Sequence, residues 1–357
     1  MGSKLHVVVL FGGKSAEHDV SLRSARNIIA SLSPERYDIS AIGIDRLGRW
    51  RFVNVDGITQ SNEAGLRIDD SKPIISISPG SRKITDGART IEPDVVFPVL
   101  HGPFGEDGSM QGVLRHLNLP FVGAGVTGSS VGMDKDVMKR LLREAGIPIG
   151  SFITFRRHER IDFDAVTSRL GSPLFIKPAN LGSSVGISRT IDRDSFERGI
   201  AEAFRYDTKI VIEENIVGRE IELSVLGNHD DVRVSIPGEI VPEGAFYTYD
   251  SKYATGSGSR LIIPAELSAE AISALQESAE RAYRILECEG FARIDFFVTS
   301  DERIYLNEIN TLPGFTSISM YPMLWKESGL EQPALIDHLI KLALARYESE
   351  KSLATGG

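Results

Sequence analysis

The sequence predicts a protein of two or three domains that opens with an α/β sheet. Its 357 residues exceed what one simple core accommodates. The first third alternates short apolar runs with segments of helical spacing, the pattern of an open sheet carrying helices. Composition is that of a globular chain, 41% hydrophobic and 25% charged.

In chain order, KLHVVVLFGG is a near-continuous apolar run of the kind buried in a parallel sheet, ending in a Gly-Gly turn. Leu22, Ala25, Ile28, Ile29 and Leu32 then recur at helical spacing. YDISAIGI and DVVFPVL follow as strands, and HGPFGEDGSMQGVLRHL passes from a loop into a helix. Residues 54–90 carry little pattern and are expected to form an excursion from the sheet. A domain boundary is expected near GAGVTGSSVG, residues 123–132. Beyond it Asp134 caps a short helix with apolar positions Val137, Met138, Leu141 and Leu142, stopped by Gly146-Ile147-Pro148.

PLFIKPAN is a strand, LGSSVGIS a loop of small residues, and KIVIEENIVGREIELSVLG a strand, a kink and a second strand. EGAFYTYDSKYATGSGSR has the Gly, Ser and Tyr content of a mobile surface loop. A helix over residues 269–288 leads into FARIDFFV, the turn SDER and IYLNEIN. ALIDHLIKLALARY is the closing helix.

Glu308 and Asn310 stand two apart in IYLNEIN, so on a strand they share a face. A four-residue turn at 300–303 pairs Thr299 with Ile304, which sets Asp295 opposite Glu308 and Arg293 opposite Asn310. Directly opposed carboxylates destabilise a sheet unless a cation lies between them. Oxygen ligands of this kind suit Mg²⁺, above all where phosphate oxygens complete the octahedron. The competing expectation is a solvated hairpin with scattered charges; the apolar flanks and the Pro-Gly turn weigh against it.

Other residues fit a phosphate site. Lys177, inside the apolar strand PLFIKPAN, is costly without an anionic partner. The LGSSVG loop after it offers backbone N–H groups as a cradle, although such loops are more often plain turns. Lys135, near a helix start, is a second candidate cation. Glu213 and Glu220 flank the kink; by default they are solvated charges, or else acceptors for an adenine amino group or a ribose hydroxyl. His101 follows a buried strand at its carboxyl end, where open α/β sheets keep their sites, and structural and catalytic roles both stand open.

Several classes are disfavoured. GGKS at 12–15 is not a P-loop, because Val8 occupies the place of its first Gly. FGGKSA does not supply the three-glycine dinucleotide fingerprint. A formal net charge of −9 argues against general nucleic-acid binding, so an anionic ligand must be met by particular Lys and Arg side chains. No apolar run reaches membrane-spanning length, and the N-terminus lacks a signal-peptide pattern. The lone Cys288 excludes an internal disulfide framework and suits a reducing compartment.

FGGKSAEHDVS, HGPFGEDGSMQG, MDKDVMKRLL, KPANLGSSVG, GREIE, YDSKY, RIDFF and NEINTLPGFTSISMYP occur in that order between residues 11 and 322. Together they resemble the D-alanine–D-alanine ligases of the ATP-grasp superfamily. The resemblance implies an N-terminal open α/β domain followed by two α+β lobes that clasp ATP, divided here as 1–127, 128–215 and 216–350. It implies that Lys135, Lys177, Ser184, Glu213, Glu214 and Glu220 hold the nucleotide. Glu214 stands where some relatives differ, which leaves the backbone partner of adenine open. Asp295, Glu308 and Asn310 would bind two Mg²⁺ ions, with Mn²⁺ able to substitute.

By the same resemblance, Glu17 receives the ammonium of the first D-alanine, with Ser183 and Tyr253 as its partners. His101 helps to orient that substrate. Lys252 reaches the γ-phosphate or the second carboxylate, which Ser319 helps to seat, with Met320 beside it where many relatives carry Leu. Arg293 and the Gly314 N–H stabilise the tetrahedral oxyanion. The implied reaction has two steps, an acyl phosphate made from ATP and then its capture by a second D-alanine, behind a closing lid. A cytoplasmic homodimer serving cell-wall precursor synthesis is implied as well, with no membrane or nucleic-acid partner. The rivals are a D-alanine–D-lactate ligase, which an intact Lys252-Tyr253 pair disfavours, another ATP-grasp carboxylate–amine ligase, and a catalytically silent ATP-binding regulatory protein.

Overall fold

The computed structural model describes residues 4–56, 66–242 and 260–353. The chain begins with β1 (Leu5–Gly12), α1 (His18–Ser31), β2 (Tyr37–Ile44) and β3 (Trp50–Val53). Three short strands follow, β4 (Ser76–Ile77), β5 (Ile84–Thr85) and β6 (Thr90–Ile91), and then β7 (Val95–Val99). The first sheet has the order β3-β2-β1-β7, with β1 parallel to both neighbours and β3 antiparallel at the edge. It is covered on both faces, which is why β1 reads as an unbroken apolar run. Val7, Val9 and Phe11 pack with Ala25 and Ile28 of α1, while Val8 and Leu10 pack with Ile42 and Leu114. Within the weakly patterned stretch, β4, β5 and β6 form a small antiparallel sheet.

The middle of the chain contributes α2 (Ser109–His116), α3 (Val126–Met133), α4 (Lys135–Glu144), β8 (Phe152–Arg156) and α5 (Phe163–Leu170). It continues through β9 (Leu174–Pro178), β10 (Ser188–Thr190), α6 (Arg193–Tyr206) and β11 (Lys209–Glu214). These strands form a second, antiparallel sheet in the order β10-β9-β11-β8. Asp134 caps α4 as expected, accepting from the N–H groups of Asp136 and Val137. The apolar stripe of α4 does not act as one face. Met138 and Leu142 are fully buried, whereas Val137 and Leu141 are 37% and 38% exposed, because residues one apart on a helix diverge by about 100°.

The last part comprises β12 (Arg219–Gly227), β13 (Arg233–Val234), β14 (Gly238–Val241), β15 (Arg260–Ile262) and α7 (Ala269–Ile285). After these come β16 (Gly290–Val298), β17 (Ile304–Asn310), α8 (Met320–Glu327) and α9 (Gln332–Lys351). The third sheet runs β15-β14-β12-β16-β17, with β13 paired to β12. Helix α7 stops at Ile285 rather than 288, since Leu286 caps it and Glu287 turns left-handed at φ 54°. Packing links the parts of the chain. Met138 and Leu142 of α4 enter the core of the third sheet, and Leu335, Ile336 and Leu339 of α9 return to that of the first.

The β16–β17 hairpin departs from its expected register and then recovers it. Val298, not Thr299, pairs with Ile304, so the loop is five residues long. A bulge at Asn307 absorbs the extra residue, and beyond it Asp295 faces Glu308 and Arg293 faces Asn310 as expected.

The burial of α4 yields a direct comparison. Met138→Ala is expected to cost about 2–5 kcal/mol of stability, and Leu141→Ala less than about 0.5 kcal/mol. Side-by-side denaturant midpoints check this, and equal losses would contradict the packing described.

Candidate active site

Between the second and third sheets lies a cleft of about 660 Å³, within the range of small-molecule sites. Lys135, Lys139 and Lys177 line it with Glu213, Glu214, Glu220, Asn307 and Glu308, and Ser183 and Ser184 stand at its edge. Burying lysine requires an anion, and Glu213 supplies one. Its carboxylate lies 2.8 Å from the Lys177 ammonium and 3.3 Å from that of Lys139. Burial pushes the Glu213 pKa up, but Lys139 and Lys177 outweigh it and hold the group at about 2. Burial lowers the pKa of Lys139, whereas for Lys177 the same penalty is overcome by Glu213 and the pKa rises. The side chain of Glu213 therefore lines the cleft while paired with two lysines. That of Glu214 accepts the Ser151 N–H at 2.6 Å.

Both expected cation-binding carboxylates have cationic neighbours of the chain's own. Arg293 grips Asp295 in a two-pronged pair at 2.8 and 2.7 Å and lies 3.1 Å from Glu222. Asn310 donates to Asp295 at 3.2 Å. Glu308 lies 3.9 Å from Lys135. The opposed pair thus finds its compensating charge in Arg293 and Lys135 even before any metal is considered. Among the described residues no cluster of three His, Cys, Asp or Glu side chains is placed to hold a metal. Two carboxylates and an amide are a hard-oxygen set of the sort Mg²⁺ accepts when a ligand's phosphate oxygens fill the remaining positions. The donor chemistry fits.

At the other end of the cleft the chain closes on itself. Glu17 is the N-cap residue of α1, where the helix dipole favours a negative charge. The Ser183 hydroxyl donates to its carboxylate across 166 residues of sequence. Ser183 and Ser184 are both left-handed, at φ 54° and 59°, a conformation that non-glycine residues seldom adopt. The expected partners Lys252 and Tyr253 lie outside the described residues.

The turn after β17 meets the first sheet. The Nδ1–H of His101 donates to the Leu312 carbonyl at 2.9 Å, since a carbonyl can only accept. Its Nε2 faces the Ser24 hydroxyl at 3.4 Å, and burial pushes its pKa down, which keeps this nitrogen an acceptor. A Cβ at Gly314 would approach the Ser319 hydroxyl oxygen to 2.8 Å, so a side chain there would require Ser319 to shift. Ser319 accepts the Thr316 N–H at 2.9 Å, and Met320 packs on Ile240 and Leu324 rather than into the cleft.

Several members of the site escaped the sequence reading. Lys139 stands one helical turn after Lys135, and that spacing was a usable signal. Glu222 follows Glu220 by two on β12 and pairs with Asp295 in the sheet. Glu106 lies in the HGPFGEDG loop; burial and the charge of Glu17 push its pKa up to about 8, against N–H bonds from Gly102 and Leu312. Asn307 became visible only through the bulge.

Known proteins resemble the chain along nearly its whole length. Models of the D-ala D-ala ligase N-terminus and C-terminus match residues 6–124 and 141–341. The D-alanine–D-alanine ligase of Shouchella clausii is 47% identical, with 98% of both chains covered. D-alanine–D-alanine ligase A of Escherichia coli is 45% identical over 99% of both. Among solved structures, the D-alanine-D-alanine ligase from Coxiella burnetii superposes with a TM-score of 0.86 at 37% identity, covering 98% of this chain and 97% of that one. The VanG D-Ala:D-Ser ligase from Enterococcus faecalis does so at 0.84 and 36%, covering 96% and 100%.

The depressed pKa of Glu213 has a consequence for acid stability. Its ionised form stabilises the folded chain above the ordinary value of 4.5, and the contribution is lost as pH falls toward about 2. Glu213→Gln is therefore expected to lower stability at pH 7 and to flatten its decline between those values. Denaturation midpoints across that window check it; an unchanged slope would contradict the pairing.

Proposed function

The chain belongs to the D-alanine–D-alanine ligase family, and on that premise we propose that it joins two D-alanine molecules through an acyl phosphate at the expense of ATP. It is an ATP-dependent ligase of the ATP-grasp fold. The observation that supports the reading is the Glu17–Ser183 hydrogen bond, which sets the Glu17 carboxylate, the proposed ammonium anchor, beside a cleft lined with lysines.

In the proposed mechanism Lys135 and Lys177 hold the triphosphate, while Glu213 fixes the lysines and Glu220, Glu214 and Ser184 border the nucleotide. Asp295, Glu308 and Asn310 would hold two Mg²⁺ ions, which neutralise charge on phosphate oxygens when bound. Glu17, with Ser183 and Tyr253, anchors the first ammonium, and His101 helps to orient that substrate. The first carboxylate attacks the γ-phosphorus, and the bond to the bridging oxygen breaks to release ADP. The second amine then attacks the acyl carbon, loses a proton, and phosphate departs. Arg293 and the Gly314 N–H donate to the oxyanion of that step. Ser319 and Lys252 seat the second carboxylate, beside Met320.

The same reading places the domains at 1–127, 128–215 and 216–350 and the enzyme in the cytoplasm as a homodimer, making a peptidoglycan precursor. Among the described residues no helix is long and apolar enough to cross a membrane. D-Alanine is favoured as acceptor over D-lactate or D-serine, because the relatives of 45–47% identity named above are D-alanine–D-alanine ligases. A silent ATP-binding protein is disfavoured by the intact set of Arg293, Asp295, Glu308 and Asn310.

Incubation with ATP, Mg²⁺ and D-alanine, with and without D-lactate or D-serine, is expected to release phosphate and yield the D-alanine dipeptide by mass. No D-alanine-dependent turnover would overturn the reading. Asp295→Asn is expected to lower turnover by about 100-fold or more with the circular dichroism spectrum retained. Wild-type activity in that variant would remove Asp295 from the metal site.

A further inference from the structure

The backbone on either side of Gly314 is held from outside its own strand. Leu312 N–H donates to Glu106 at 3.2 Å, and the Leu312 carbonyl accepts from His101 at 2.9 Å. Phe315 N–H donates to the Ser24 hydroxyl at 3.1 Å, and the Phe315 carbonyl accepts from the Asn27 amide at 3.0 Å. All four groups belong to the first sheet's surroundings, two from helix α1 and two from the loop after β7. Both backbone groups of Leu312 and of Phe315 are satisfied, whereas between them the Pro313 carbonyl and the carbonyl and N–H of Gly314 make no hydrogen bond among the described residues, and of these three only the N–H can donate.

Helix α1 links this cradle to the first substrate's anchor. Glu17 occupies the N-cap position of the helix, and Ser24 and Asn27 stand seven and ten residues further on. At the helical rise these lie about 10 and 15 Å along a rigid rod. One element thus fixes both the carboxylate expected to hold the ammonium of the first amino acid and the backbone of the expected oxyanion donor. His101 completes the link, since the Ser24 hydroxyl that receives Phe315 N–H also faces its Nε2.

We propose that Ser24 and Asn27 are positioning residues for the second chemical step, aiming the Gly314 N–H at the carbonyl of a substrate held by the same helix. The inference rests on the ligase reading above. It separates the two steps. Attack of a carboxylate on the γ-phosphorus builds no tetrahedral carbon, whereas attack of an amine on the acyl phosphate does, and only the latter needs the aimed donor. Loss of the cradle leaves acyl phosphate forming faster than it is captured. Acyl phosphate that leaves the site uncaptured is attacked at its carbonyl in solution by water or added hydroxylamine, where the Gly314 N–H plays no part; phosphate leaves, and free amino acid or hydroxamate results in place of dipeptide.

The test compares the full-length wild type with Asn27→Ala, Asn27→Asp and Ser24→Ala, measuring ADP, dipeptide and, with hydroxylamine present, hydroxamate. Asn27 is only half-buried, which makes its variants the safer ones for folding. The wild type is expected to make one ADP per dipeptide. The variants are expected to raise the ADP-to-dipeptide and hydroxamate-to-dipeptide ratios by about tenfold, with the KM for ATP unchanged. A merely structural role would lower all products together. Ratios equal to the wild type's, whether or not the overall rate falls, overturn the proposal. Absence of dipeptide from the wild type itself would instead overturn the ligase reading.

Discussion

Glu213 lies between Lys139 and Lys177, nearly out of reach of water, and the surrounding architecture follows from keeping that triple neutral enough to bury. Lysines in an apolar strand and on an apolar helix face are tolerable because one carboxylate serves both. Within that triple two ammonium groups share one carboxylate, with Glu220 and Glu308 acting on Lys177 from farther off. Lys135 beside Glu308 and Arg293 between Asp295 and Glu222 extend the same alternation along the third sheet. A chain whose overall charge is −9 thereby gathers Lys135, Lys139, Lys177 and Arg189 in one cleft, among the carboxylates of Glu213, Glu214, Glu220 and Glu308.

The third sheet brings this lining to its reactive end. Its hairpin ends at Asn310, and the turn that follows is tied down by side chains of the first sheet. The first sheet is in turn anchored to the end of the chain, since α9 packs back onto it and Tyr37 donates to Asp337. The proposed substrate anchor, oxyanion turn and nucleotide cleft come from different parts of the sequence, yet hydrogen bonds between them leave little freedom in their relative placement. Catalysis by positioned donors requires that rigidity.

Much of this was legible from residues alone. The apolar run of β1, the Asp134 cap and the broken strand at 215–218 are local signals, and local signals survive into the fold. The pairing of Asp295 with Glu308 was reached by counting back from a turn of assumed length. The turn is one residue longer, and the bulge at Asn307 cancels the difference. Counting can reveal a partner but not a bulge, because a bulge is set by side-chain packing on both faces. The cradle of Ser24 and Asn27 left no trace at all: polar residues on an amphipathic helix look alike whether they face water or another backbone. Glu213, read from the residues as a solvated charge by default or else as an acceptor for a nucleotide, is buried at the cleft as the counter-ion of Lys139 and Lys177, pairs that its sequence neighbours do not reveal. The site assignments around Lys252 and Tyr253 fall outside the described residues.

The central claim is that the buried lysines are held in place for a triphosphate. Calorimetric titration of ATP with Mg²⁺ into the wild type and into Lys177→Ala tests it most directly. A charged hydrogen-bond partner is worth enough that affinity is expected to fall by about 10- to 100-fold in the variant, with the fold retained. Equal affinity for ATP in the two proteins would mean that Lys177 serves only to neutralise Glu213, and the cleft would lose its assignment as the nucleotide site.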